Sequence, residues 1–115
     1  MSRRSSSMSA ATLDETAPMF AALGDATRLR LVARLCAKGP LSITHLHHGS
    51  DMTRQAITKH LEVLADAGLV NGTRRGRERI WQLETVRLER AQRCLDQISQ
   101  QWDEALDRLQ SLVER

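Results

Sequence analysis

MTRQAITKHLEVLADAGLV, residues 52–70, carries an apolar stripe and a polar face on the same few helical turns. Ile57, Leu61 and Leu64 stand at i, i+4 and i+7, one side of a helix, while Arg54, Gln55, Thr58 and Lys59 stand on another. The first side asks for a core. The second carries side chains that suit base edges and phosphate oxygens. Thr53 is placed to cap the helix start and Gly68 to supply the left-handed residue that stops it, so the helix is expected over about residues 54–67.

Beyond the stop, Leu69 and Val70 open a strand, and NGTRRGRERIWQL, residues 71–83, continues it as a hairpin. Gly76 lies in the middle of Arg74, Arg75, Arg77 and Arg79, where a tight turn needs a permissive residue, and Ile80 and Leu83 are available to the core. A charged hairpin that merely protects a sheet edge needs no such bias, with four arginines against the single Glu78. Arginines at a hairpin tip reach phosphates or an adjacent minor groove.

Upstream, residues 14–23 form a first short helix with Met19, Phe20 and Leu23 on its apolar side, interrupted by Gly24 and Asp25. Asp25 caps a second helix, whose Leu29, Val32, Leu35 and Cys36 face a core and whose Arg28, Arg30 and Arg34 face solvent, until Gly39 and Pro40 end it. Ser42 caps a short third helix that holds Ile43, Leu46 and His47 and ends near Gly49. Two short helices joined by a few turn residues make a helix-turn-helix. Followed by an arginine hairpin, they read as a winged helix-turn-helix suited to double-stranded DNA.

A chain of 115 residues with 41% hydrophobic content makes one core. With one Phe, two Trp and no Tyr, stacking on aromatic rings cannot be the main means of holding nucleic acid, which argues against single-strand binders. The net charge of +3 is modest, but Arg54, Lys59 and the four hairpin arginines face only Glu62, Asp66 and Glu78 between residues 53 and 83. No stretch approaches the roughly 18 apolar residues of a membrane span, and no apolar run follows the first dozen residues, so a cytoplasmic protein without a membrane partner is expected. Residues 1–13 read as a disordered tail, with a minor-groove arm through Arg3 and Arg4 as the alternative. No Gly-rich phosphate loop, no nucleophile with an identifiable base and no metal-ligand pair of catalytic spacing is present, so neither an enzyme nor a cofactor is expected.

From Glu84 onward there is neither Gly nor Pro. Leu88, Leu95, Trp102 and Leu109 recur every seven residues, and so do Ala91, Ile98, Ala105 and Leu112. A seam of that length on so small a domain is economically used by the same helix of a second subunit. Together with Phe20 these positions form the expected homodimer interface. The organisation is then a tail at 1–13, a winged helix-turn-helix domain at 14–83 and a dimerisation helix at 84–115; the fold class is mainly α with a small β-hairpin wing.

FAALGDATRLRLVARLCAKGPLSITHL, TRQAITKHLEVLADAGLV and RRGRERIWQL together resemble the ArsR/SmtB family of winged-helix repressors, over about residues 19–83. The resemblance implies a homodimeric transcriptional repressor on a palindromic operator. It assigns major-groove contact to Thr53, Arg54, Gln55, Thr58, Lys59 and His60, and backbone and minor-groove contact to Arg74, Arg75, Arg77 and Arg79. Metal sensors of the family carry a Cys-x-Cys pair where Ser42 and Thr44 stand here, and hydroxyls are poor ligands for soft metals. Their other site needs a histidine on the last helix, and none follows His60. The chain therefore resembles a branch that lacks these metal sites. Some relatives join cysteines of the second and last helices as a thiol switch, which makes Cys36 and Cys94 an alternative sensor; both also read as small buried hydrophobes. His45, His47 and His48 offer another, although His45 and His47 point about 200° apart on a helix. A winged-helix module that binds protein rather than DNA is the remaining alternative.

Overall fold

The computed structural model describes residues 9–114, in the order α1 (Ala10–Leu23), α2 (Ala26–Lys38), β1 (Leu41–Ser42), α3 (Ile43–His47), α4 (Arg54–Asp66), β2 (Val70–Arg75), β3 (Glu78–Leu83) and α5 (Thr85–Val113). The architecture is mostly helical with a small antiparallel wing, as the residue pattern implies. The sheet has three strands rather than the two of a bare hairpin, because Leu41 and Ser42 pair with Trp81 and Ile80.

Helix α4 forms where its stripe places it. Thr53 Oγ1 accepts from the backbone N–H of Ala56 at 3.0 Å, satisfying a donor that the first turn leaves open. Ile57, Leu61 and Leu64 are all but inaccessible to solvent, and burial of such side chains is worth roughly 1.5–3 kcal/mol each. Gly68 ends the element with φ of 79°. The exposed Arg87 side chain of α5 lies across the stop, its Cδ 2.4 Å from where a Cβ at this position would fall, but it is free to swing aside, and the positive φ is what calls for glycine.

Helix α1 begins at Ala10, four residues before the expected Asp14, because Ser9 Oγ accepts from the N–H of Thr12 at 3.1 Å and caps an alanine-rich turn. Residues 10–13 are thus helix and not tail. Residues 1–8, with the arm reading of Arg3 and Arg4, lie outside the described residues. Met19 and Ala22 are buried, and Phe20 and Leu23 are half-buried against the same core. Thr16 is buried as well, its hydroxyl donating to the carbonyl of Thr12 at 2.7 Å.

The inner face of α2 is rotated from the expected one. Leu31, Val32 and Leu35 are buried, while Leu29 is more than half exposed and Cys36 is exposed. The cause is Arg28, which shares the inner side with Leu31 and Leu35. Its Nε donates to the carbonyl of Ala22 at 2.6 Å, so its stem is half-buried with a satisfied head. Arg34 likewise does not simply face solvent: its two terminal nitrogens donate to the carbonyls of Leu46 and His45, each at 2.9 Å, tying α2 to α3.

In the sheet, β3 lies between β1 and β2. Trp81, expected of neither face, is 1% exposed, while Ile80 is only half-buried on the other side. The exchange is possible because Trp81 stands opposite Gly72, where a Cβ would fall 3.2 Å from the indole ring. Leu83, two residues on and half-buried, shares the inner face with Trp81.

Helix α5 is joined to the wing by Asn71, whose amide donates to the Glu84 carboxylate, and by the Glu84 N–H, which donates to the Leu69 carbonyl at 2.8 Å. Its first turns pack on the chain's own domain and along α1: Ala91 and Cys94 are buried and Leu88 is half-buried. Ala91, expected at a subunit seam, is therefore spent on the core of its own chain. Beyond that point the apolar side is bare. Leu95, Ile98, Trp102, Leu106, Leu109 and Leu112 are exposed, and the helix carries the molecule to an extent of 65 Å against widths of 29 and 21 Å.

Candidate nucleic-acid interface

With Ile57, Leu61 and Leu64 turned inward, α4 must present its remaining face outward. Thr53, Arg54, Gln55 and Lys59 are exposed, Thr58 is half-buried, and together with Ala56 and Glu62 they line one shallow concavity. Thr53 has a double part, since its hydroxyl is already the cap of the helix.

One expected member is directed elsewhere. His60 lies on the side of α4 that meets α2, with Nδ1 3.2 Å from a terminal nitrogen of Arg28 and 3.9 Å from a carboxylate oxygen of Asp25. The ring braces α4 against α2 and does not point with Gln55 and Lys59. Asp25 also caps α2. Its carboxyl is held below the usual carboxylate range chiefly by the hydrogen bond from the Arg28 backbone N–H; desolvation, the next effect in size, opposes this, and the nearby charge of Arg28 adds to the lowering.

The wing carries its arginines on a two-residue turn, Gly76 and Arg77, between paired Arg75 and Glu78; Gly76 takes a φ of 60°. Arg74 and Arg79 stand directly opposite one another, and like charges in that relation are unfavourable. Arg79 relieves part of the strain by placing its guanidinium 4.4 Å above the Trp81 ring. Among the described residues, Arg74, Arg75 and Arg77 are exposed and make no ion pair. A concentration of uncompensated cations held on a rigid strand pair is suited to a polyanion.

The helix and the wing are linked by residues the sequence did not single out for this role. Thr44 Oγ1, on α3, donates to the Glu78 carboxylate at 2.6 Å and accepts from the Arg54 guanidinium at 3.3 Å. The chain Arg54, Thr44, Glu78 thus spans α4, α3 and β3. Thr44 stands at one of the two positions to which the resemblance assigns thiolates in metal sensors, and here its hydroxyl is committed to the wing.

The remaining candidates are separate. Cys36 is exposed on α2 and Cys94 buried on α5, with no disulfide between them. His45 Nδ1 lies 2.8 Å from Ser42 Oγ, beside the α3 cap. Among the described residues no group of three or more His, Cys, Asp or Glu is arranged to hold a metal ion, and no helix is long and apolar enough to cross a membrane.

A helix-turn-helix domain model matches residues 23–73, which contain α2, α3, α4 and the start of the wing. Over 93 residues the chain is 36% identical to the HTH-type transcriptional regulator Rv2034 of Mycobacterium tuberculosis, covering 81% of this chain and 83% of that protein. The fold matches an ArsR-like transcriptional regulator from Rhodococcus sp. RHA1 with a TM-score of 0.72 at 33% identity, over 89% of this chain and 95% of that one. It also matches the homodimeric winged helix-turn-helix DNA-binding domain Mb0332 from Mycobacterium bovis, with a TM-score of 0.62 at 25% identity over 90% and 92% of the two chains. The outward face of α4, the arginine wing and these likenesses together establish that the chain belongs to the ArsR family of winged helix-turn-helix transcriptional regulators.

Proposed function

We propose that the protein is a homodimeric repressor that occupies a palindromic operator and blocks transcription by occupancy, without a metal effector and without catalysis. The observation that carries this reading is the wing, where unpaired arginines stand beside the polar face of a capped recognition helix on one rigid frame. In this reading α4 enters the major groove, where Arg54, Gln55, Thr58 and Lys59 meet bases and phosphates, and Arg74, Arg75 and Arg77 grip the flanking backbone. The dimer is supported by the bare apolar side of α5 beyond Cys94 and by the homodimeric state of Mb0332. Leu95, Ile98, Trp102, Leu109 and Leu112 form its seam, with Ala105 half-buried beside them.

Binding of the purified protein to DNA upstream of its own gene, followed by fluorescence anisotropy against a scrambled duplex, tests the reading. Lys59→Ala weakens both duplexes alike, whereas Gln55→Ala removes preference for the operator by the roughly 1–3 kcal/mol that a good base contact supplies. Equal loss on both duplexes for Gln55→Ala shows that base reading lies elsewhere on α4. Absence of any binding at low salt favours a protein-interaction role for the domain.

A further inference from the structure

A cavity of about 360 Å³ lies between α2 and the turn that joins α3 to α4, apart from the arginine wing and the outward face of α4. That volume falls within the range of small-molecule sites, roughly 300–1,000 Å³. Its floor is made of the core side chains Leu31 of α2, Leu46 of α3 and Ile57 of α4, which expose little to it, and half-buried Met52 supplies the accessible apolar surface on one side. Gly49 leaves it open at the turn, where a Cβ would meet nothing within 4 Å.

The rim is cationic. Arg34 is held in place by its bonds to the Leu46 and His45 carbonyls, while Arg30 and His48 make no side-chain hydrogen bond or ion pair among the described residues. Asp51 is the one acidic residue lining the cavity, so the arginines outnumber it. A preorganised guanidinium, a second one without a partner and an apolar wall behind them are complementary to a carboxylate attached to a short apolar body. Inorganic anions would leave the wall unused, and neutral hydrocarbons would leave Arg30 unanswered.

We propose that this cavity binds a small monocarboxylate bearing a compact apolar chain or ring, with Arg30 as its charge partner. Occupancy presses on Met52, which leads into the cap of α4, and on Ile57, which anchors its first turn in the core, and so alters the angle of the recognition helix. That regulatory consequence rests on the DNA-binding reading; the binding event itself does not.

The two are tested separately. Without DNA, backbone amide shifts of the full chain are followed on addition of isocaproate, benzoate or isovalerate, with benzamide as the uncharged control. At least one carboxylate moves the amides of Leu31, Leu46, Gly49 and Ile57, benzamide does not, and Arg30→Gln weakens that binding about tenfold or more, the scale of one charge-assisted hydrogen bond. Arg30 is exposed, and the variant's own amide spectrum verifies its fold. The proposal is overturned if none of the three carboxylates moves those amides at about 10 mM. It is equally overturned if Arg30→Gln binds as the parent does or if benzamide binds as well as benzoate. Adding the same carboxylate to a preformed DNA complex then reads the regulatory step alone: a changed affinity supports it, and an unchanged one removes it while leaving the site intact.

Discussion

Replacing Trp102 by Ala tests the proposed dimer apart from the fold of the chain itself, because the residue is 65% exposed and contributes little to its own domain. An aromatic side chain buries roughly 150–250 Å², so about 100–160 Å² of this ring remains to be covered by a partner. At about 25 cal/mol per Å² that is about 2.5–4 kcal/mol for each ring, and two-fold symmetry applies it twice. Not all of this becomes affinity, since ordering side chains and restricting motion oppose it. A loss of at least about 3 kcal/mol is expected, which weakens the dimer more than about a hundredfold. Sedimentation equilibrium over a concentration series measures it directly. Helix content of the monomer formed at high dilution should match the parent, showing that the domain survives. A dimer dissociation constant within a factor of about three of the parent's would refute the seam, because an exposed ring that large has no role at an interface it does not touch.

Three further outcomes are expected. Arg77→Ala should reduce the slope of log affinity against log salt by about 1.8 for a dimer, the effect of losing one phosphate contact per subunit, as measured by anisotropy from low to physiological salt; an unchanged slope would place Arg77 off the backbone. Gly72→Ala forces a Cβ to within 2.7 Å of Arg79 Nε and 3.2 Å of the Trp81 ring, so about 1–3 kcal/mol of stability should be lost in urea unfolding, with a shift in Trp fluorescence. The Asp25 carboxyl is held below its ordinary 3.8, so its stabilisation is complete at neutral pH and lost as the pH falls through 3.8 toward the folded value. Asp25→Asn keeps a capping oxygen but not the charge, and the gap in thermal midpoint between parent and variant should close in that acid range; a gap independent of pH would show that the charge contributes nothing.

The elements that matter most for the interface were legible because their signals are local. Thr53 reaches an N–H three residues on, Gly68 stops the helix within one turn of its last residue, and Gly76 closes a two-residue turn. Each of these interactions lies within a few positions of chain, so the partners are visible in one short window of sequence. The start of α1 is equally local: Ser9 Oγ pairs with the Thr12 hydroxyl and accepts from the Thr12 N–H, which starts the helix at Ala10, ahead of the expected Asp14.

What escaped the sequence was the choice of face. Arg28 belongs to the inner side of α2 only because the Ala22 carbonyl and the His60 ring are there to receive it. His60 fits a DNA-facing list by spacing, yet α2 supplies Asp25 and Arg28 to hold it back. Trp81 displaces Ile80 from the inner face because the strand opposite has Gly72 at that register. The Thr44 bridge joins Arg54 and Glu78, which are far apart along the chain.

The existence of the helices, the caps of α2, α3 and α4, the turn, the charge of the wing and the apolar repeat of α5 follow from bonds and periodicities within a few residues and are written in the chain itself. Tertiary structure alone decided which phase of α2 and β3 turned inward, where His60 pointed and how much of α5 remained bare. Those outcomes depend on whether a distant element supplies a hydrogen-bond acceptor or leaves a space, and no window of neighbouring residues contains that information.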